Sequence, residues 1–478
     1  MDRSWQPAEL TEILGSWMTG PGPLYGRLAA ALHDRIRSGD LAPGERLPSE
    51  RALAAALAVS RATVVSAYDE LRGTGAVDSR RGSGTRISVR TGPVRGADGR
   101  VPGGGATALV QRLVDGPGDM ISLAVTSTGA APQVRSALAE LTAMDGLDAL
   151  LADSGYHPRG LPVLRVAVAG HCTAQGLPTT PDQILITTGA TQALALTAQL
   201  YVRRFSPVVV ETPSWPGCLD AFLAAGARPH RVPLDEDGIR LDGLTQALPG
   251  AALLHVTPTY HNPTGILMST ARRRRIAELA ARHRVPVVED LAYDTRLTDA
   301  PDPPPVAAFA PPGADTLTIG SLTKAVWGGL RIGWLRSQNG TVERLARLKA
   351  LADMGTPILD QALAARLLPR LDDIKNSRAP ALRSGLTRLE SRLTDRLPGW
   401  TWHRPAGGAA LWTRLPGGTD AEIFAQVALR HGVEVVPGSA TDPGGAHDDH
   451  IRVPFALAAD RIDELVRRLA AAWGELTG

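Results

Sequence analysis

From Leu24 onwards apolar residues recur at Tyr25, Leu28, Leu32 and Ile36, a spacing that predicts an amphipathic helix closed by Gly39. Turn-forming residues fill 41–48. A second helix is then expected with Ser49 as its N-cap and Leu53 and Leu57 inward. Ser60 caps a third, whose inward stripe is Val64, Ala67 or Tyr68, and Leu71. Two short helices joined by the turn at Val59 predict a helix-turn-helix, with Ser60, Arg61 and Thr63 on the first turn of the second helix. Residues 77–89 alternate as a hairpin whose Gly82-Ser83-Gly84 tip is crowded by Arg80, Arg81 and Arg86. That arrangement suits a wing on duplex DNA; a small protein-interaction module with a solvated basic hairpin is the competing reading.

Gly and Pro break all periodicity from Thr91 to Ala106, which predicts a flexible tether over 91–118, with Leu109–Val114 as a short helix inside it. Beyond residue 119 continuous apolar runs alternate with helical stretches: 183–187, 207–210, 252–256, 285–288 and 316–319. Such runs, separated by helices, predict a mostly parallel sheet covered on both faces. Ligands bind such sheets beyond the carboxyl ends of the strands.

At 478 residues with 44% hydrophobic content, two to four domains with sizeable cores are expected. A net charge of +3 only weakly suggests an anionic partner. Two cysteines, Cys172 and Cys218, build neither a disulfide framework nor a metal cluster, as in a reducing compartment. The Met1–Trp5 start has no apolar leader core and no run is long enough to span a bilayer, so a cytoplasmic, metal-free protein is expected.

Arginine supplies nearly all the positive charge, and there are only three lysines: Lys324, Lys349 and Lys375. The last two lie on polar helical stretches and read as solvated surface. Lys324 follows the apolar run Leu317-Thr318-Ile319, with Ser321 and Thr323 just before it and Arg331 seven residues after. A lysine can form an imine where an arginine cannot, and hydroxyls with a guanidinium suit a phosphate. Together they suggest an aldehyde cofactor carrying its own phosphate, pyridoxal phosphate; a lysine at a strand edge with incidental neighbours is the other reading.

The preceding strands each end in a polar signal. Thr188-Gly189-Ala190-Thr191-Gln192 opens a helix whose free N–H groups suit an anion, or is ordinary helix entry. Trp215 could stack on a flat ring, though a lone Trp is more often core or rim. Asn262, in His261-Asn262-Pro263-Thr264-Gly265, offers an amide to a ring hydroxyl oxygen. Asp290 could keep a pyridine nitrogen protonated, or cap a helix.

The residues Leu47–Arg51, Leu57–Val64, Tyr68–Leu71 and Arg81–Thr85 resemble the winged-helix domain of GntR-family regulators. That resemblance implies DNA contacts at Arg51, Ser60, Arg61, Thr63, Arg81 and Gly82. From about Ile121 to the end, the ordered set from Gly189 to Arg331, with Tyr156 and Arg452, is similar to fold type I, class I/II aminotransferases. By that resemblance Lys324 forms the internal aldimine, Asp290 pairs with the pyridine nitrogen, Asn262 and Tyr293 contact the phenolic oxygen, and Trp215 stacks on the ring. Gly189, Ala190, Thr191, Ser321, Thr323 and Arg331 hold the phosphate, Tyr156 reaches in from a second subunit, and Arg452 grips the carboxylate of an amino-acid ligand. Arg452 as a strand-edge arginine paired with a carboxylate is the plainer alternative. Gly328-Gly329 stands where Pro-Gly is frequent, and 125–130 matches the family poorly.

The domain order resembles the MocR-type subfamily. It implies a winged helix-turn-helix over 1–90, a Gly/Pro-rich linker over 91–118 and an α/β aminotransferase-like body over 119–478, with 119–340 mainly the large and 341–478 mainly the small subdomain. The implied function is transcription control by exchange of an effector amine, an amino acid or pyridoxal phosphate itself, at Lys324. A homodimer is implied, with a domain-swapped form left open, reading repeated half-sites in double-stranded DNA. A working aminotransferase carrying a DNA-binding domain is the alternative, since no residue of the set disables turnover.

Overall fold

The structure is a computed structural model and describes residues 5–15, 17–19, 23–38, 40–41, 45–73, 76–80, 84–87, 120–124, 126, 129–143, 146–298 and 300–478. The chain falls into two compact units, Met1–Pro102 and Gly103–Gly478. The linker expected over 91–118, the helix expected at 109–114 and the contact residues Arg81 and Gly82 lie outside the described residues.

In the first unit helices span Pro7–Leu14, Leu24–Ser38, Glu50–Ala56 and Arg61–Gly73. The hairpin of β1 (Val77–Arg80) and β2 (Gly84–Ile87) follows, in antiparallel register with Val77 opposite Ile87. Leu28, Leu32, Leu53, Val64, Ala67, Tyr68 and Leu71 meet in one buried core with Val77 and Ile87. Both Ala67 and Tyr68 are inward, and the Tyr68 hydroxyl donates to Pro48 O at 3.0 Å. Tyr25, expected on the buried stripe, is 41% exposed, and Leu24, one residue earlier in the same turn, packs against the core instead. Ser49 accepts from Ala52 N and Ser60 from Thr63 N, so both expected caps form. The helix Pro7–Leu14 was not foreseen; its two buried leucines, Leu10 and Leu14, are too few to signal a period.

The second unit is built around an eight-stranded sheet of β4 (Ile184–Thr187), β5 (Pro207–Thr212), β6 (Arg228–Asp235), β7 (Gly238–Ile239), β8 (Leu253–Val256), β9 (Val287–Asp290), β10 (Thr316–Ser321) and β11 (Gly333–Arg336). Their order is β4-β11-β10-β9-β8-β5-β6-β7. Neighbours from β10 across to β6 are parallel, while β11 runs antiparallel to both β10 and β4. Alternate residues of each strand enter different cores: Val208, Val210 and Leu253 pack under the helices Ala190–Tyr201 and Pro216–Ala224, and Val209, Leu254 and Val256 under Thr270–His283.

A second layer holds β12 (Thr401–Trp402), β13 (Ala410–Arg414), β15 (Val436–Pro437) and β16 (His450–Pro454) in the order β12-β13-β16-β15. Beside it β14 (Val433–Glu434) pairs in parallel with β3 (Ile121–Ser122). Its core joins Ile121 and Leu123 to Leu382, Leu386, Leu389 and Phe424, whereas Val342, Leu345 and Leu367 pack on the large sheet's side. The border between the layers therefore runs through the helix Leu371–Arg396, later in the chain than the expected 341. Among the described residues no helix is long and apolar enough to cross a membrane.

Candidate functional site

The carboxyl ends of the parallel strands carry the site. Gly189 ends the turn after β4 at φ +89°, a conformation a side chain strongly disfavours, and caps the helix Ala190–Tyr201 with Ala190 and Thr191 in its first turn. A Cβ on Gly189 would stand 3.4 Å from the Arg331 guanidinium, and one on Gly333 would stand 2.8 Å from Gly189 backbone. Arg331 Nη2 donates to Thr188 O at 2.9 Å. Gly333 pairs with Ser321, whose hydroxyl donates to Thr323 Oγ1 at 2.9 Å, so a helix N-terminus, two hydroxyls and a guanidinium converge on one small-residue cradle. Such geometry and charge suit an anion.

Lys324 Nζ donates to Thr126 O at 2.7 Å and lies 5.8 Å from the Tyr293 ring centroid. Burial, together with the Arg452 charge, lowers its pKa to about 8, so a neutral amine is accessible. The Tyr293 hydroxyl and Thr126 Oγ1 are 3.1 Å apart and share a hydrogen bond. Asp290, at the end of β9, is buried; it accepts from Ala292 N at 2.9 Å, and burial pushes its carboxyl up to about 6.

Arg452 on β16 is buried, and its guanidinium donates to Asn262 Oδ1 at 3.3 Å, Leu123 O at 2.9 Å and Ala124 O at 2.6 Å. Among the described residues no carboxylate pairs with it, and its Nε is buried without a partner. A cavity of about 560 Å³ opens on Lys324, with Thr126, Thr295, Arg378, Leu382 and Phe455 among its walls.

Other expected residues stand further out. The Trp215 indole folds over Gly217, where a Cβ would be 2.4 Å from the ring. Tyr156 is 66% exposed, and its backbone N donates to Ser154 Oγ. In the first unit Arg51, Ser60 and Arg61 are exposed and Thr63 half-buried. Arg61 Nη2 lies 3.5 Å from Glu50 Oε2, while the Ser60 and Thr63 hydroxyls sit 2.8 Å apart in the cap.

Lys349 and Lys375, expected as solvated surface, are both buried. Lys349 pairs with Asp353, which also accepts from Gln192 at 2.6 Å beneath the Thr188 turn, and Lys375 pairs with Asp294. Their carboxylates are too distant in sequence, or too ordinary in spacing, to betray the burial. Sequence reasoning also missed Thr126, Gly333 and the buried Glu211, whose Oε2 accepts from Thr257 N at 2.7 Å and lies 3.6 Å from His261 Nε2. The run Pro207–Val210 signalled a strand but not what the Glu211 side chain that follows it meets.

The family model for aminotransferase class I and II matches residues 104–469, and that for the bacterial regulatory proteins of the gntR family matches 24–87. An uncharacterised HTH-type transcriptional regulator of Bacillus subtilis, YisV, is 30% identical over 480 residues, with 95% of each chain covered. A probable rhizopine catabolism regulatory protein of Rhizobium meliloti, MocR, is 29% identical over 66% of this chain and 65% of its own. Among solved structures, the alpha-aminoadipate aminotransferase of Thermus thermophilus complexed with N-(5'-phosphopyridoxyl)-L-leucine superposes with a TM-score of 0.67, at 29% identity, over 77% of this chain and 94% of that one.

Proposed function

The chain belongs to the aminotransferase class I and II family and carries a GntR-family domain ahead of it, the organisation of MocR-type regulators, and on that premise we propose that it is a cytoplasmic, pyridoxal-phosphate-dependent transcription regulator that senses an amine. Three features of this chain suit the cofactor: the cradle at Gly189 that a Cβ would fill, the buried amine of Lys324, and the buried Asp290 carboxyl, which among the described residues forms no ion pair. When bound, the cofactor supplies an aldehyde carbon that combines reversibly with primary amines and a ring that withdraws electrons.

Lys324 would anchor the aldehyde end, for which its amine must leave the Thr126 carbonyl. Asp290 would hold a proton on the ring nitrogen, Asn262 and Tyr293 would bind the ring oxygen, and Trp215 would cover the ring. Gly189, Ala190, Thr191, Ser321, Thr323 and Arg331 would hold the phosphate. Arg452 would bind a ligand carboxylate; a buried guanidinium satisfied only by an amide and two carbonyls is what such a ligand improves on, and this is the observation that carries the reading. The effector is thus an amine bearing a carboxylate.

Arg51, Ser60, Arg61 and Thr63 would contact duplex DNA, with Arg81 and Gly82 on the wing. Exposed Tyr156, Leu351 (88%) and Met354 suit a face for a second copy, and a homodimer would read two half-sites. An effector shifts transcription only by binding two states of the protein unequally.

The test is to mix purified protein and cofactor with candidate amino acids and a keto acid, following cofactor absorbance, product and a DNA footprint. A lasting spectral change that alters the footprint without turnover is expected. Steady multiple turnover would overturn it in favour of the second reading, a working aminotransferase, which the complete set Lys324, Asp290, Asn262 and Arg452 favours.

A further inference from the structure

Several exposed arginines of the second unit face carboxylates: Arg240 with Asp242, Arg275 with Glu278, Arg388 and Arg392 with Asp463, Arg404 with Glu390, Arg430 with Glu475 and Arg467 with Glu464. One edge gathers five that do not. Arg203, Arg204, Arg228, Arg282 and Arg284 are all exposed, and among the described residues none has a carboxylate within ion-pair distance. They sit in the segments leading into β5, β6 and β9, so they share the amino-terminal edge of the parallel sheet, the end away from Lys324. Asp315, also on this edge, accepts from the Tyr201 hydroxyl at 2.6 Å.

At the centre stands Phe205, 54% exposed and held at φ +67°, a backbone state rare for a bulky side chain. Its N–H donates to Gly226 O at 2.6 Å. The guanidinium carbons of Arg204 and Arg228 lie 4.8 Å and 4.7 Å from its ring centroid. The ring thus organises two cations in a fork, with their remaining N–H groups toward solvent. β9, β8, β5 and β6 are consecutive neighbours, so strand spacing carries the row of cations from Arg284 to Arg228 across roughly 15 Å.

We propose that this arginine edge is a second nucleic-acid contact, which grips the phosphate backbone of duplex DNA beside the sequence read by the winged unit. Duplex DNA offers one charge per about 1.7 Å of axis, so several phosphates face a row of this width. The same polypeptide carries the winged unit, and that unit's grip on DNA raises the local concentration of duplex around the edge. The contact reads charge rather than bases, adding affinity without sequence preference. The inference rests on the DNA-binding reading of the first unit.

The experiment compares full-length holoprotein with the triple variant R204A/R228A/R284A and its counterpart R204K/R228K/R284K. Affinity is measured against salt on a long duplex centred on the operator and on the operator alone. On the long duplex the alanine variant should lose roughly 2 to 3 units of the log–log salt slope, since each phosphate contact contributes about 0.9. The lysine variant should keep the slope, and the preference for operator over scrambled sequence should not change. Equal slopes for wild type and alanine variant on the long duplex, with the cofactor spectrum and melting intact, would overturn the proposal, as would wild-type binding to anionic vesicles that these arginines alone support. Arg61→Ala separates the two readings: it should lower operator preference and leave the long-duplex slope dependent on the edge. An operator preference insensitive to Arg61 counts against the winged unit's role, not against the edge.

Discussion

Glu211 shows how much one side chain can hold. Burial pushes its carboxyl from the usual 4.5 up to about 8, while burial pushes its neighbour His261 down to about 3, so the histidine stays neutral. The folded protein therefore keeps a proton that the unfolded chain releases, and stability falls as pH rises from about 4.5 to about 8. The loss is at most about 1.4 kcal/mol per pH unit. Glu211→Gln should match wild type in denaturant unfolding at pH 5 and exceed it at pH 8; Asp290 titrates in both proteins and drops out of the comparison. Parallel pH profiles would mean the carboxylate ionises in the fold. Gly189→Ala should weaken cofactor binding at least tenfold in a spectral titration, since its φ of +89° and the guanidinium 3.4 Å away both oppose a methyl group. Lys324 stood out in the sequence because hydroxyls and an arginine flank it. The burial of Lys349 and Lys375 was illegible, because Asp353 and Asp294 hold them through tertiary packing.

Elements were legible where their period is set by burial on known sides. The strands ending at Thr187, Thr212, Val256, Asp290 and Ser321 could be read because both faces are covered and the runs are continuously apolar. β11 was not, since Gly333-Trp334-Leu335-Arg336 is short, begins with glycine and runs antiparallel, yet it is the strand that brings Gly333 against Gly189. In the first unit Leu32 is wholly buried between the helices Leu24–Ser38 and Arg61–Gly73. Leu32→Ala should cost about 2–5 kcal/mol and lower the melting of that unit alone in calorimetry; a shift in the transition of the larger unit would contradict it. Ser60→Ala removes the acceptor for Thr63 N and should cost roughly 1 kcal/mol by the same measurement.

At the scale of the whole chain, two compact units imply two separable functions. Lys324→Ala should abolish the cofactor's visible band and borohydride fixation yet leave basal DNA affinity within about twofold. Arg61→Ala should cost roughly 1–3 kcal/mol of DNA affinity, read by anisotropy, with the cofactor spectrum unchanged. Each expectation fails if either variant disturbs both properties. The two-part organisation was plain in the sequence from the break in periodicity after residue 90. The layering of the larger unit was not, because β3, early in the chain, pairs with β14 more than three hundred residues later. That pairing has a mechanical meaning. Ile121 and Ser122 are stitched to the smaller layer, the next carbonyls are clasped by Arg452, and the one at Thr126 by Lys324. A molecule that drew those two cations onto itself would take them from the carbonyls of Leu123, Ala124 and Thr126, so the strand pairing at the smaller layer and the amine of Lys324 share one stretch of backbone.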